Sequence, residues 1–468
     1  MKRIAIIGGG ISGLSAAFTL DQSRRAGVPV EYTLFESSPR FGGVLVTERV
    51  EDCLVEAGPD SFLTEKPWAS DLCRELGLGD QLIGSNDAAR KTYILVNGKL
   101  VAMPDGLMFM VPTKIMPVVF SPLFSAGTKL RMAREWFHPP SPSPADESVA
   151  ALVTRHYGAE MVERLADPLL SGVYGGQASQ LGVRAVLPRF AEMEARHGSL
   201  GKAMLAARKK MGAAPQPVKP LFTSLKNGMQ QLAEALLAHL DRSVLQCNAP
   251  VQALQPGAGH WTISANRRSE SFDAVIVAAP APAAAALLQS ASAGLAAELR
   301  GIPYSSSVTV ALGYDERVRS SLPQGFGFLV PRSEGKRLLA ATFVHNKFAF
   351  RVPDNRSLIR CFLGGARDEQ ALQLSDDEIV STVRKELRQI LGLTAEPHFA
   401  RVYKWKAAMA QYNVGHLDRL DRIENLRRQL PGLALAGNAY RGIGVPDCVR
   451  SGSEAASQAR AAIGLDQA

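Results

Sequence analysis

The chain has 468 residues, too many for one ordinary domain, and its 46% hydrophobic and 21% charged residues match soluble globular averages for two or three domains. The formal net charge of +9 suits a solvated basic surface or attraction for an anionic lipid, nucleic acid or acidic small molecule. No nucleic-acid motif and no dense Lys/Arg block occurs, so nucleic acid ranks last among those partners.

The first apolar run, residues 3–7, leads into glycines with no cleavage site, so it reads as a strand rather than a signal peptide. Residues 8–13 form a turn and residues 14–24 have helical spacing. Residues 31–35 form a second strand, bounded by Gly27 and Pro29 before it and Pro39 after it. This is a βαβ unit. Further on, residues 93–96 and 99–103 flank Asn97-Gly98, a hairpin signal.

The apolar stretch 107–127 is interrupted by Pro112, Lys114, Pro117 and Pro122, and no window of about 18 uninterrupted apolar residues exists. Residues 138–148 read as a linker, 149–211 as mostly helical and 212–220 as a connector. The α/β character then returns: a helix at 229–240, strands at 261–264 and 271–277, and a helix from 281. The run 273–280 is apolar enough for a strand buried on both faces. Residues 305–364 carry β patterns of a second, more antiparallel sheet, and 376–391 form a helix. A strand at 433–436, a glycine turn and a helix over about 449–463 close the chain. The five cysteines, Cys53, Cys73, Cys247, Cys361 and Cys448, are too dispersed for a metal or redox pair and suit a reducing cytosol.

Four motifs carry chemistry. Gly8, Gly10 and Gly13 form GxGxxG between a strand and a helix: a tight turn, close approach of backbone to a diphosphate, and close helix–strand packing. The anion sits at the positive end of the helix. Glu36 ends the second strand, about 20 residues on, where an acid meets the ribose hydroxyls. Arg40-Phe41-Gly42-Gly43 adds a basic residue and paired glycines, an extension resembling the E-x-x-x-R-x-G-G pattern of amine oxidase superfamily flavoproteins, and it shifts the reading from any dinucleotide to FAD. The fourth motif runs from Leu433 to Asp447, where a helix start could stabilise negative charge on a reduced flavin.

The whole chain resembles the oxygen-dependent porphyrinogen oxidases, the protoporphyrinogen and coproporphyrinogen III oxidases. The resemblance rests on GGGISGLSAAF, FESSPRFGG, EAGPDSF, DPLLSGVYGG, SLKNGM, QYNVGH and GNAYRGIGVPDCVRSG. It implies an α/β fold: a discontinuous Rossmann-like FAD-binding domain with a mixed-sheet substrate domain and a helical insertion. The expected segments are 1–88, 220–300 and 405–468 for the FAD domain, 89–219 for the hairpin and helical insertion, and 301–404 for the substrate sheet. The insertions would lie over the cofactor.

The resemblance also implies six-electron oxidation of coproporphyrinogen III or protoporphyrinogen IX, with hydride passing to the flavin and O2 as acceptor giving H2O2. The FAD contacts it implies are Gly8, Gly9, Gly10, Ile11, Ser12, Gly13, Glu36, Ser37, Arg40, Gly42, Gly43, Val44, Gly58, Pro59, Asp60 and Ser61, with Val251, Trp405, Ile443, Gly444 and Val445. For the substrate it implies Lys91 or Arg90 against a propionate, with Asp167, Gly172 and Gly175 near the macrocycle. Residues 408–416 have no cysteine, so the FAD is expected to be non-covalent. No histidine spacing suggests a metal site. The alternatives are an amine oxidase, a carotenoid desaturase, or a flavin-free binder like the GDP-dissociation inhibitors. The expected setting is the cytoplasm, with peripheral contact at the inner face of the membrane and homodimer assembly both open.

Overall fold

In the computed structural model, which describes residues 1–108, 110–140, 146–210 and 219–465, the first βαβ unit forms as its pattern predicts. Strand β1 (Lys2–Ile7) leads to helix α1 (Ile11–Arg25) and strand β2 (Val30–Phe35). Ile4, Ala5 and Ile6 are fully buried, as expected of a strand with elements packed on both faces. Strands β3 (Leu245–Gln246), β4 (Ala274–Val277) and β5 (Leu433–Leu435) complete a parallel sheet in the order β3-β2-β1-β4-β5. Ile4 lies opposite Tyr32 on one side and Ala274 on the other. The last helix, α2 (Val445–Ala462), packs along α1. These pieces belong to one compact unit, Met1–Ser85, Pro220–Pro303 and Asp418–Ala468.

Two expectations need correction here. The single strand expected at 271–277 is two strands in different sheets, Arg268–Phe272 and β4. The break falls at Asp273, whose carboxylate accepts from Arg3 N–H at 2.8 Å and pairs with Lys2 Nζ at 2.7 Å. The final helix starts at Val445 rather than near 449, because Pro446 is well placed in a first turn, where no intrahelical N–H is needed.

The second unit is Asn86–Lys219 with Tyr304–Leu417. Its seven-stranded mixed sheet runs Phe399–Ala410, Tyr304–Asp315, Arg356–Gly364, Ala340–Phe343, Gly327–Leu329, Thr92–Val96, Lys99–Ala102. Only Gly327–Leu329 and Thr92–Val96 pair in parallel. The hairpin turn has positive φ at both Asn97 (51°) and Gly98 (73°), the type I′ geometry that the Asn-Gly pair favours. Val308, Val310, Ile359 and Cys361 pack in one core cluster with Ile379, Val383 and Leu387 of the helix Asp376–Leu391. That helix opens with a reciprocal Ser375–Glu378 capping box and ends on left-handed Gly392. The expected division at 404–405 falls inside the strand Phe399–Ala410, which pairs along Tyr304–Asp315.

The helical insertion occupies much of Val149 to Lys210. The expected connector at 212–220 lies largely, and the expected linker at 138–148 in its middle part, outside the described residues. Within the stretch 107–127, the short helix Ile115–Phe120 leaves Ile115, Met116 and Phe120 exposed. Among the described residues, no helix is long and apolar enough to cross a membrane.

Candidate cofactor site

In the parallel sheet β1 stands between β2 and β4, where the chain order reverses. Such a switch point is where open α/β sheets receive ligands. Gly8 leaves β1 at φ 108°, and a Cβ there would lie 2.6 Å from Ala278 O. A Cβ on Gly13 would lie 1.8 Å from Gly8 O, so this glycine lets α1 pack against the turn. At Gly10 an added Cβ would meet nothing within 4 Å. Gly10 caps α1 without a side-chain hydrogen bond, and the first turn carries no acid. The positive helix end therefore opens on free space, as a diphosphate site requires.

Glu36 stands beside this opening. Its Oε2 accepts from Gly9 N–H at 2.6 Å and its Oε1 from Ser38 N–H at 2.8 Å, with the Ser37 hydroxyl 3.3 Å away. The carboxylate is thus held in one orientation and keeps lone-pair capacity for further donors. Backbone bonds from Glu36 N–H to Gln246 O and from Ala249 N–H to Glu36 O secure this strand end. Val251 follows two positions later, opening the strand Val251–Pro256.

The Arg40–Gly43 loop closes over the same face. Gly42 N–H donates to Gly9 O at 2.8 Å, and a Cβ on Gly43 (φ 57°) would lie 3.1 Å from Gly10 Cα. The Arg40 guanidinium donates to the carbonyls of Phe41 and Gly43. Val44 O sits where a Cβ on Gly58 would be, 2.0 Å away. The Gly58–Ser61 segment is fixed by Ser61 Oγ on Asp60 Oδ1 and by Ser224 Oγ on Asp60 O.

At the other end of the chain, Gly444 caps α2, and Asp447 Oδ2 accepts from Gly444 N–H at 3.2 Å and from Lys66 Nζ at 2.6 Å. Gly452 lets α2 approach the first turn of α1: a Cβ there would lie 2.1 Å from Ser12 O. The Lys66–Asp447 pair and Gly452 were not singled out from sequence. Asp447 lay inside the GIGVPD stretch as a signal, whereas Lys66, 381 positions away, offered none.

One unit thus carries every expected cofactor residue except Trp405. Trp405 lies in the second unit, on the strand Phe399–Ala410 opposite Ser307. The expected substrate residues also lie in the second unit. Arg90 and Lys91 are exposed just before Thr92–Val96. Asp167 begins the helix Asp167–Tyr174, and its Oδ1 accepts from Ala178 N–H at 2.8 Å. A Cβ on Gly172 would lie 3.9 Å from Leu329 Cδ2, and Gly175 ends the helix in the left-handed conformation.

A glycine-lined helix start beside a fixed acid defines the class of dinucleotide-binding α/β proteins. The family model for flavin containing amine oxidoreductases matches residues 11–460, and the chain belongs to that family of flavin oxidoreductases. It is similar to the coproporphyrinogen III oxidase of Bacillus subtilis (strain 168), 34% identical over 463 residues covering 98% of each chain. It is also similar to the protoporphyrinogen oxidase of Homo sapiens, 32% identical over 486 residues covering 97% of this chain and 98% of the other. A crystal structure from Exiguobacterium sp. 255-15, provisionally named protoporphyrinogen oxidase, superposes with TM-score 0.87 at 30% identity over 97% of this chain and 98% of that one. Putrescine oxidase, at 18% identity and TM-score 0.69, shares the fold.

Proposed function

We propose that this flavoprotein is an FAD-dependent porphyrinogen oxidase of haem synthesis. It would convert coproporphyrinogen III and three O2 into coproporphyrin III and three H2O2. The observation that carries the reading is its end-to-end likeness to coproporphyrinogen III oxidases. Protoporphyrinogen IX, which has two vinyl groups where the other has propionates, is the alternative substrate. The net charge of +9 favours the more acidic of the two.

FAD, held without a covalent link, would accept hydride from a ring carbon and pass the electrons to dioxygen. The chain's residues would do the binding and positioning. Backbone N–H groups at the start of α1 and the Arg40–Gly43 loop would cradle the diphosphate, and Glu36 would accept from the ribose hydroxyls. Backbone at Val251 and Trp405, and the Ile443–Val445 turn, would make further contacts with FAD. The free Gly10 face and the uncapped helix start favour this fit. Lys91, with Arg90 as second choice, would meet a propionate. Asp167, with one oxygen committed to Ala178 N–H, would position the turn that brings Gly172 and Gly175 to the macrocycle. Cytoplasmic residence with peripheral membrane contact belongs to this reading, the exposed Ile115, Met116 and Phe120 supplying an apolar surface.

The deciding experiment is kcat/KM of the purified yellow protein on both porphyrinogens, followed by porphyrin fluorescence, with peroxide measured in parallel. A yellow protein that oxidises neither would sink the assignment. Glu36→Ala is expected to weaken FAD retention about tenfold or more, in line with about 1.5–3 kcal/mol for hydrogen bonds to a charged group, measured by flavin titration of the stripped protein. Lys91→Met should raise KM for coproporphyrinogen III several-fold with little change in kcat, the pattern of lost uniform binding. Steady-state kinetics would read this directly.

A further inference from the structure

The helical part of the second unit holds a buried group of ionisable side chains that porphyrinogen oxidation does not use. Glu135 ends the helix Ala126–Glu135, and His138 follows it. His156 lies on Val149–Tyr157 and Glu194 on Pro188–His197. The His156 side chain is wholly buried. Its Nδ1 is 3.1 Å from Glu135 Oε1 and its Nε2 is 3.0 Å from Glu194 Oε1. Glu135 also accepts from Ser199 Oγ and Leu200 N–H. Arg155 donates to Glu194 and to Glu147. His138 stacks on His156 with centroids 4.7 Å apart, and its Nδ1 is buried without a hydrogen-bond partner among the described residues. Ligand atoms of His138, His156 and Glu194 all lie within 4.8 Å of one another.

The charges do not balance. Glu135, Glu147 and Glu194 outnumber Arg155 among the ion pairs of the cluster, and a divalent cation would offset that excess of carboxylate. The geometry points to a binding site for a divalent transition cation of the zinc class, held by His138 Nδ1, His156 Nε2 and the Glu194 carboxylate. These are the nitrogen and oxygen donors such ions take. Glu135 accepts the Nδ1 proton of His156, which fixes the tautomer that turns the Nε2 lone pair toward the ion, the usual carboxylate–histidine–metal relay.

Bonds of about 2.0–2.2 Å place tetrahedral ligand atoms about 3.3 Å apart. The His156–Glu194 pair is already that close, so the His138 side chain closes in and Arg155 retires from Glu194 Oε1 toward Glu147. The His138 backbone is pinned for this by Gly198 (φ 68°), where a Cβ would lie 2.3 Å from His138 O and 2.2 Å from Pro139 C. The ion joins two helices and the segment that follows a third, so its role is structural.

The test uses the flavin-loaded enzyme after dialysis against a chelator. ZnCl2 is titrated calorimetrically, and Co2+ is added while absorbance is followed to the red of the flavin bands. One Zn2+ per chain and the d–d absorption of tetrahedral Co2+ are expected, and Zn2+ should raise the Tm. His138→Ala and Glu194→Gln should each weaken binding by about 100-fold or more, and Glu135→Gln by about 10–100-fold, the range for an outer partner. His260→Ala, at an exposed histidine outside the cluster, should bind as the parent does. Absence of saturable Zn2+ uptake by the parent, or uptake unchanged in His138→Ala, overturns the site. Porphyrinogen turnover is unaffected as evidence either way, so this failure and that of the oxidase reading stay distinguishable.

Discussion

Gly13→Val is expected to yield a chain that retains no flavin and unfolds at far lower denaturant than the parent. Even the first atom of the new side chain would stand 1.8 Å from Gly8 O, a backbone atom that cannot rotate away. Gly8 is itself held by its N–H bond to Phe35 O at 2.8 Å and by the closeness of Ala278. To relieve the clash, α1 must lift from β1, which both opens the core and scatters the N–H groups at the helix start. Overpacking of this kind costs about 3 kcal/mol or more where backbone blocks relaxation.

Gly10→Ala is the informative partner, because its Cβ meets no non-neighbouring atom of the described residues within 4 Å. That variant should match the parent in urea midpoint yet hold FAD at least about tenfold more weakly, since the methyl fills the space into which a diphosphate would come. The ratio of flavin to protein absorbance after gel filtration, beside urea melts, separates the two cases. Equal flavin content in parent and Gly10→Ala would mean that the ligand does not approach at this turn.

His156→Leu should destabilise the helical insertion by about 3–5 kcal/mol at neutral pH. The substitution roughly keeps the volume but takes away the ring nitrogens that Glu135 and Glu194 meet at 3.1 and 3.0 Å, and a buried acceptor left unsatisfied costs about 1–3 kcal/mol, more when it is charged. The loss should depend on pH in a defined direction. Burial alone would push the Glu135 carboxyl up, but hydrogen bonds from His156, Ser199 and Leu200 outweigh it and hold the group below the usual carboxylate range. A carboxyl lowered in the folded state stabilises the fold above the ordinary carboxylate range, and that contribution fades as the pH falls. Without His156 the hydrogen bonds from Ser199 and Leu200 remain but the His156 contribution is lost, so the carboxyl moves up and acid relieves the variant by neutralising Glu135. The deficit against the parent should therefore be largest near neutrality and shrink as the pH approaches about 4.5, in paired urea melts. A deficit that grows on acidification would contradict this account of Glu135.

The arrangement of residues around the first turn was legible because it is local in sequence. Gly8, Gly10, Gly13, Glu36 and Arg40 lie within one βαβ unit and its following loop, so spacing alone implied their arrangement. The hairpin at Asn97-Gly98 was legible for the same reason, its turn being dictated by two residues. Asp273 misled the reading because its effect runs through Lys2 and Arg3 at the far end of the chain. The strand Phe399–Ala410 escaped notice because it is a sheet edge, with Lys404 and Lys406 exposed and no clean apolar alternation. Charged edge strands of this kind resist unwanted pairing and hide from pattern reading for the same physical reason. The His138–His156–Glu194 cluster draws each member from a different helix or helix end, so no spacing rule could have assembled it.

The parallel sheet of the first unit also has a temporal consequence. Its order β3-β2-β1-β4-β5 seats a strand from residues 274–277 next to the first strand and one from 433–435 beyond it. A chain emerging from the ribosome cannot finish this sheet, or bring α2 against Ser12, until nearly all of it has been synthesised. The amino-terminal βαβ segment must wait in water with its apolar strands only half covered, a state that invites aggregation or chaperone capture. A chain stopped before residue 433 therefore lacks β5 and cannot complete this sheet.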